Sequence, residues 1–421
     1  MKKRILIIAV FLVVSISLTA ASRFSPKNFF SQALNQDKTY FVSLPDGYNE
    51  SDASKKYPVI LFLHGATVNA QDIVNKFDSI IGNPLAKILI PNFFKVIFVI
   101  PDGSAAPYLG SFYTNSELYG NYETYIATDL YSEINEKYNT YANRAKWSIM
   151  GHSMGGYGST KIALKYPSQY IGVASLSGPL DITYYNDLLP MVLAENGNAA
   201  PYNFAYEGSV TKLMYTMAGA FSPNISSNPQ VDFPISSDGT INQSIISRWE
   251  TNNPINYIRT WKGKPSMGVF LYCGEKDEYK LLSQNQRFSD TLSQYGIKYT
   301  FKIDPQGDHV YSLLTSFPLG LNFLYGVMDT AKIISTGTSS ICMKENSIFP
   351  NPAKERLYLS SGSDYIVNVT IISSTGSVTQ RYAGRDITNG VDISNLKAGF
   401  YMLSLNYKDG KQQNLRFIKI E

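Results

Sequence analysis

Histidine and cysteine are scarce in this chain, whose 421 residues include three histidines and two cysteines. The histidines are His64, His152 and His309, so a reaction that needs an imidazole base has only three candidates. The cysteines are Cys273 and Cys342, and neither has a metal-ligand pattern around it. Cys273 lies at the end of a predicted buried strand, so we expect two unpaired thiols, with a disulfide between them as the alternative.

Long basic runs are also missing, as are long apolar runs beyond the N-terminus. No cluster of Lys or Arg concentrates the net charge of +4, which argues against a nucleic-acid-binding protein. Beyond the N-terminus, no segment is long and apolar enough to span a bilayer. The 44% of hydrophobic residues suffices for a sizeable core, and the length allows more than one domain.

The N-terminus has the three parts of a secretory signal peptide. Met1–Arg4 is basic, Ile5–Val14 is an unbroken apolar run, and small residues follow at 20–22. We expect residues 1–21 to be cleaved from the exported protein. No cysteine lies at the cleavage site, which argues against a bacterial lipid anchor. The mature protein is therefore expected to be secreted or on the cell surface, with no transmembrane segment.

Apolar strand-like runs alternate with amphipathic helical stretches from about residue 38 to residue 328. The predicted strands lie at 57–65, 94–103, 145–153, 171–181 and 267–277, followed by a last strand and loop at 298–309. The predicted helices lie at 124–139, 156–167 and 285–296. Buried strands that alternate with helices predict an α/β domain, in which a mostly parallel sheet has helices on both faces.

The composition divides the chain further. Residues 22–330 form the predicted main domain, and residues 184–255 interrupt its pattern as an insertion rich in Asn, Ser, Pro, Tyr and Met. This insertion is expected either to cover a site at the sheet edge as a lid or to lie on the surface. Residues 331–344 are a predicted linker, and the short alternating stretches of 345–421 predict a small all-β sandwich.

The stretch IMGHSMGGYGS, residues 149–159, predicts a strand, a sharp turn and a helix. Ser153 lies between Gly151 and Gly155, and small neighbours let the backbone pass closely so that the hydroxyl projects above the sheet. The N–H of Met154 would then face a developing oxyanion at the helix N-terminus. In this context we predict that Ser153 is a nucleophile.

A serine hydroxyl is a poor nucleophile without a base, and elimination among the histidines selects one. His152 is inside the turn and points away from its neighbour, and His64 ends an early strand where the chain turns. His309 follows the last predicted strand, as the chain order Ser–Asp–His requires. His309 is therefore the predicted base.

The acid that orients this base is expected after the penultimate strand, in LYCGEKDEY. Asp277 has the expected offset from the strand end, and it would stabilise the imidazolium. Glu275 and Glu278 are the nearest alternatives, and Asp308 lies beside the histidine.

A second oxyanion donor is expected from the loop after LHG. We favour the backbone N–H of Ala66, with Thr67 as the alternative. Asp102, in the PDG that ends the next strand, is expected to have a structural role in a turn.

Taken together, LFLHGAT, VIPDG, GHSMGGYGSTKIALKYP, CGEKDEY and GDHVY resemble the esterase family of α/β-hydrolases. The family includes S-formylglutathione hydrolases, feruloyl esterases, acetyl-xylan esterases and mycolyltransferases. The resemblance covers roughly residues 38–328 and contains the three predicted catalytic positions in order. It implies an α/β-hydrolase fold and a serine carboxylesterase that needs no metal or organic cofactor, with His152 standing where relatives often have Leu.

The C-terminal region has a resemblance of its own. IFPNPAKERLYLSS and the closing LKAGFYMLSLNYKDGKQQNLRFIKIE are similar to the C-terminal sorting domain of the Bacteroidetes type IX secretion system. The resemblance implies that the secretion machinery is a partner and that the protein crosses the outer membrane. An accessory β-sandwich that binds carbohydrate is the alternative.

These observations lead to one functional hypothesis with two alternatives. The hypothesis is a secreted serine carboxylesterase that acts on acyl esters, with acetyl or feruloyl esters of polysaccharides as the expected class. One alternative is an acyltransferase of the mycolyltransferase type, in which a hydroxyl acceptor replaces water. The other is a non-catalytic surface protein that binds glycans.

Overall fold

A computed structural model describes most of the chain. The described residues are 22–81, 86–184, 188–198, 200–202, 204, 210–261, 264–310, 312–334, 348–349, 351–359, 366–373, 377–383, 387, 390–407 and 412–420. They fall into two compact units divided at residue 336, and each is described by itself. The predicted signal peptide and Cys342 lie outside the described residues.

The first unit is built on an eight-stranded sheet. Its strands, with a two-stranded ribbon formed by β5 and β6, are β1 (Ser25–Ser31), β2 (Gln36–Ser43), β3 (Val59–Leu63), β4 (Ile97–Pro101), β5 (Asn115–Ser116), β6 (Gly120–Asn121), β7 (Trp147–His152), β8 (Gly172–Leu176), β9 (Gly268–Gly274) and β10 (Tyr299–Asp304). The sheet order is β1-β2-β4-β3-β7-β8-β9-β10. The six strands from β4 to β10 in this order are parallel, and β2 is antiparallel to both of its neighbours.

Helices lie between the parallel strands along the chain and after the last of them. They are α1 (Ala70–Ile81), α2 (Ala86–Leu89), α3 (Tyr122–Thr124), α4 (Tyr131–Lys137), α5 (Met154–Lys165), α6 (Leu188–Glu195), α7 (Val210–Phe221), α8 (Gln243–Trp249), α9 (Pro254–Arg259), α10 (Leu282–Gln294) and α11 (Leu313–Ile334). A π-helical segment, Tyr125–Leu130, joins α3 to α4, so the helix predicted at 124–139 contains a wider turn. Short 3₁₀ turns lie at Pro91–Lys95, Arg144–Lys146 and Glu250–Asn252.

The core lies on both sides of the sheet, because the side chains of a strand alternate between its faces. In β3, Val59, Leu61 and Leu63 belong to one buried cluster and Ile60 and Phe62 to the other. Helices α4, α5, α9 and α10 pack against the first face, and α1 and α11 against the second. Burying each large apolar side chain contributes about 1.5–3 kcal/mol. The continuous apolar runs are therefore explained by burial from both faces, as predicted.

The region predicted as an insertion contains α6, α7 and α8. Its helices are not a surface excursion, since Met217, Phe221 and Trp249 belong to the same buried cluster as the first face of the sheet. The ring of Phe221 lies 5.5 Å from those of Phe112 and Tyr157, the latter in α5. Within the described residues, the insertion therefore packs onto the helix that follows the predicted nucleophile.

Two details bear on the sequence predictions. Cys273 is a buried free thiol in β9, and burial raises its pKa above the usual range. Helix α11 continues to Ile334, so the first four residues of the predicted linker are helical. Among the described residues, no helix has the length and apolarity to cross a membrane.

The second unit is all-β. Its strands are β11 (Ile348–Phe349), β12 (Arg356–Leu359), β13 (Ile366–Ser373), β14 (Val378–Ala383), β15 (Val391–Asp392), β16 (Gly399–Tyr407) and β17 (Gln412–Lys419). They form two antiparallel sheets of order β11-β12-β15 and β14-β13-β16-β17. Leu357 of the first sheet and Val369 and Leu403 of the second share one buried cluster, so the two sheets form a small sandwich.

Candidate active site

The turn between β7 and α5 places Ser153 at the carboxyl end of the parallel strands. Its backbone has φ 55° and ψ −121°, a conformation that costs energy for a residue with a Cβ atom. A Cβ atom on Gly155 would lie 1.9 Å from the carbonyl oxygen of Leu63, and one on Gly151 would lie 2.3 Å from that of Gly155. The two glycines are thus required by close backbone approach, while the serine side chain is half-buried.

Three predicted residues from distant parts of the chain meet at this turn. Nε2 of His309 lies 2.8 Å from Oγ of Ser153, and Nδ1 of His309 lies 2.8 Å from Oδ2 of Asp277. Asp277 and His309 are buried, with 1% and 4% of their surfaces exposed. The other carboxylate oxygen of Asp277 accepts the backbone N–H of Tyr279 at 2.9 Å. A hydroxyl, an imidazole and a fixed carboxylate are therefore in line.

The other acidic residues weighed for this position make different contacts. Glu275 is exposed on the loop after β9. Glu278 accepts the backbone N–H of His309 at 2.8 Å and does not contact Nδ1. Asp308 accepts the backbone N–H of Ser312 at 3.3 Å. Of these carboxylates, the structure brings only that of Asp277 to the imidazole.

The backbone around Ser153 offers N–H groups for an anion. Met154 is the first residue of α5, so its N–H has no acceptor within the helix. After β3, the N–H of Thr67 donates to the carbonyl oxygen of Leu109 at 2.9 Å and is therefore occupied. The N–H of Ala66 remains the better candidate for a second donor in this loop.

His64 connects the loop after β3 to the loop after β4. Its Nδ1 donates to the carbonyl oxygen of Gly65 at 2.8 Å, and its Nε2 accepts the N–H of Gly103 at 2.8 Å. This pattern is that of a neutral imidazole, and it holds the two loops together. Both ring nitrogens are used in these contacts, so His64 has none left for Ser153. Asp102 in the second loop pairs with Nζ of Lys38 at 3.2 Å, in keeping with the structural role expected of it.

Two contacts at His309 were missed by reasoning from the sequence. Nε2 of His152 lies 2.7 Å from the carbonyl oxygen of His309. Burial, and secondarily the nearby His309, lower the pKa of His152 to about 3. The carboxylate of Glu278 holds the N–H of the same residue. No local pattern in one sequence could have indicated these contacts, which join residues far apart in the chain.

The insertion reaches this site through a chain of hydrogen bonds. Oγ1 of Thr216 in α7 accepts the N–H of Leu109 at 3.1 Å, and the carbonyl of Leu109 accepts the N–H of Thr67. On the other side, the ring of Tyr279 lies 4.7 Å from that of His309. Hydrogen bonds therefore connect α7 of the insertion to the loop after β3, and the ring of Tyr279 packs beside the imidazole of His309.

Metal ligands do not gather in the described part of the chain. Within it, no group of three or more His, Cys, Asp or Glu side chains is arranged to hold a metal ion. His64 and His309 each use both ring nitrogens for contacts with protein atoms. The groups assembled here are those of acyl transfer through a serine.

Comparison with family profiles gives two matches. The profile of the Esterase family, described as “Putative esterase”, matches residues 31–313, which is more than half of the chain. The profile of a “Secretion system C-terminal sorting domain” matches residues 347–420. Both families were expected from the sequence.

Individual relatives are more distant. Esterases of two Mycobacterium tuberculosis strains are 30% identical to this chain over 162 residues, which are 37% of this chain and 32% of the relative. The chain therefore spans about a third of the length of these curated relatives. A solved ferulic acid esterase has a TM-score of 0.50 at 20% identity, with 72% of this chain and 98% of the other covered. An S-formylglutathione hydrolase from Agrobacterium tumefaciens has a TM-score of 0.48 at 17% identity, covering 73% and 96%. The likeness to the ferulic acid esterase is one of fold, and it confirms the predicted α/β-hydrolase architecture.

Proposed function

Because the chain belongs to the Esterase family, we propose that it is a carboxylic ester hydrolase in which Ser153, His309 and Asp277 form the catalytic triad. The observation that carries the proposal is the pair of 2.8 Å contacts from the His309 ring to Ser153 and Asp277. These contacts join three chemically matched groups at the carboxyl edge of a parallel sheet, where α/β folds place their active sites.

In the first half of the proposed reaction, Oγ of Ser153 attacks the ester carbonyl carbon and Nε2 of His309 takes the hydroxyl proton. The carboxylate of Asp277 accepts the Nδ1–H and stabilises the imidazolium that forms. Backbone N–H groups of Met154 and Ala66 donate to the tetrahedral oxyanion. Because the negative charge on this oxygen develops only as the substrate reacts, these donors stabilise the transition state more than the bound substrate. Collapse of this intermediate breaks the ester C–O bond, and His309 protonates the departing alcohol.

In the second half, water replaces the alcohol. His309 takes a proton from the water molecule as its oxygen attacks the acyl carbon, and a second oxyanion forms in the same place. Collapse breaks the bond between the acyl group and Oγ, and the proton on His309 returns to Ser153. The acid product leaves with the enzyme restored.

We propose acyl esters of polysaccharides, acetyl or feruloyl, as the substrate class. The proposal is supported by the fold likeness to a ferulic acid esterase and by the sorting-domain match, which fits a substrate outside the cell. It is tested by measuring turnover of p-nitrophenyl acetate, p-nitrophenyl butyrate, methyl ferulate, acetylated xylan and a dipeptide amide with the full chain. We expect turnover of the esters and none of the amide.

Two results would contradict this proposal. New esters formed with added alcohol acceptors, in preference to free acid, would indicate an acyltransferase. No turnover of any ester, together with glycan binding, would indicate a binding protein on a hydrolase scaffold.

We further propose that the second unit directs export through the type IX secretion system, as supported by its family match at residues 347–420. A chain truncated after residue 346, expressed in a bacterium that has this system, is expected to remain in the periplasm. The full-length protein is expected at the cell surface or in the medium. Cell fractionation, with esterase activity as the marker of folded protein, distinguishes the two. Equal release of both chains would contradict the sorting role.

A further inference from the structure

The main chain of His309 is held on both sides. Its N–H donates to Oε2 of Glu278 at 2.8 Å, and its carbonyl oxygen lies 2.7 Å from Nε2 of His152. The side chain of His309 is held separately, by Asp277 and Ser153. The two main-chain contacts come from different elements, the loop after β9 and the end of β7.

The contact with His152 has a defined direction. A carbonyl oxygen can only accept, so Nε2 of His152 must carry the hydrogen and donate it. His152 is buried, with 8% of its surface exposed, and a proton added to this ring would place a positive charge in a buried site beside His309. The lowered pKa of His152, about 3, keeps it neutral wherever an esterase would work. His152 is therefore a constant donor and cannot compete with His309 as a base.

His309 needs such support because of where it lies. It follows β10 after a turn in which the N–H of Gly307 donates to the carbonyl of Asp304, and it precedes α11. No strand or helix therefore includes it. Displacing a catalytic group by about 1 Å can lower a rate about 100-fold. The position of the imidazole thus depends on what holds this loop.

We propose that His152 and Glu278 are positioning residues that fix the main chain of the catalytic base, an inference that rests on the proposed triad. His152 acts through its hydrogen bond alone. Glu278 acts by accepting the His309 N–H. The titratable groups around His309 are Asp277, Glu278 and Tyr279 from the loop after β9, His152 from β7 and the adjacent Asp308.

The His152 contact is tested by two substitutions. His152→Leu removes the donor and keeps an apolar side chain in a buried site, whereas His152→Gln keeps an N–H at a similar reach. With p-nitrophenyl acetate, we expect His152→Leu to lower kcat by about 10- to 100-fold with little change in KM. We expect His152→Gln to recover most of this loss. Equal rates in the two variants, whether high or low, would overturn the role of the hydrogen bond.

The Glu278 contact is tested by a pair of substitutions. Glu278→Gln keeps an acceptor oxygen, so we expect it to lower kcat by less than about threefold. Glu278→Ala removes the acceptor, and we expect it to lower kcat about tenfold with little change in KM. Glu275→Ala is the matched control, because it truncates an exposed carboxylate of the same loop. A loss in Glu278→Ala no larger than that in Glu275→Ala or in Glu278→Gln would overturn the inference for Glu278.

Failure of the proposed function can be distinguished from failure of this inference. If the wild-type protein shows no turnover that depends on Ser153, the triad proposal fails. The low-field NMR resonance of the proton between His309 and Asp277 still reports on the position of the imidazole without any substrate. An unchanged resonance in Glu278→Ala relative to Glu275→Ala overturns the inference for Glu278 by itself, and a moved or lost resonance supports it. If His152→Leu does not fold, the variants of the exposed Glu278 still test whether the main-chain contacts of His309 control turnover.

Discussion

Ser153→Ala is expected to lower kcat for ester hydrolysis by about 10⁶-fold. Without Oγ no acyl-enzyme can form, and His309 and Asp277 are left with no nucleophile to activate. The fold should be retained, because alanine keeps the Cβ atom that the backbone already accommodates at φ 55°. A residual acceleration of about 10³-fold over the uncatalysed reaction is expected from the oxyanion donors and substrate binding.

A matched serine is available as the control. Ser177 follows the neighbouring strand β8, also has a positive φ, 50°, and is buried. Turnover of p-nitrophenyl acetate by Ser153→Ala and Ser177→Ala should therefore differ by orders of magnitude, with similar thermal unfolding midpoints. Comparable activity in the two variants would show that Ser153 is not the nucleophile.

Asp277→Asn should lower kcat by about 10⁴-fold. Asparagine retains an oxygen for the N–H of Tyr279, so the side chain keeps its orientation. Its amide N–H then faces Nδ1 of His309, which forces the proton of the imidazole onto Nε2. That tautomer cannot accept the proton of Ser153, and the charge that stabilised the imidazolium is lost as well.

The alternative acids serve as controls for this prediction. Glu275→Gln and Asp308→Asn each remove one carboxylate from the loops around His309 without touching the Asp277 contact. Steady-state rates of the three variants should fall only for Asp277→Asn. A larger loss in either of the others would mean that the acid was assigned to the wrong residue.

Much of the fold was predictable because its signals are local. An apolar strand, a glycine-flanked serine and a helix follow one another within residues 149–159, and the order of strands along the chain brings Ser153 and His309 to one sheet edge. The scarcity of histidine narrowed the choice of base further. The fold class is confirmed, and the placement of Ser153, His309 and Asp277 agrees with the expected geometry.

Other features depend on contacts that no local pattern carries. The hydrogen bond of His152 to His309 joins residues 157 positions apart, and that of Thr216 to Leu109 joins residues 107 apart. The π-helical turn at Tyr125–Leu130 was also missed, because one face of apolar residues fits both helix types over so short a stretch. The preference for Ala66 over Thr67 as an oxyanion donor is likewise supported by a contact outside the local pattern, because the Thr67 N–H is already in use.

The hydrogen bonds that connect α7 to the loop after β3 have a consequence for how the activity of this protein can change during evolution. The path from Thr216 through Leu109 to Thr67 connects the least recognisable region of the sequence to the loop that contains the proposed oxyanion donor Ala66. Substitutions in the insertion can thus alter turnover while every catalytic residue stays unchanged. During evolution, substitutions in this segment would change which substrates are accepted without changing the catalytic residues.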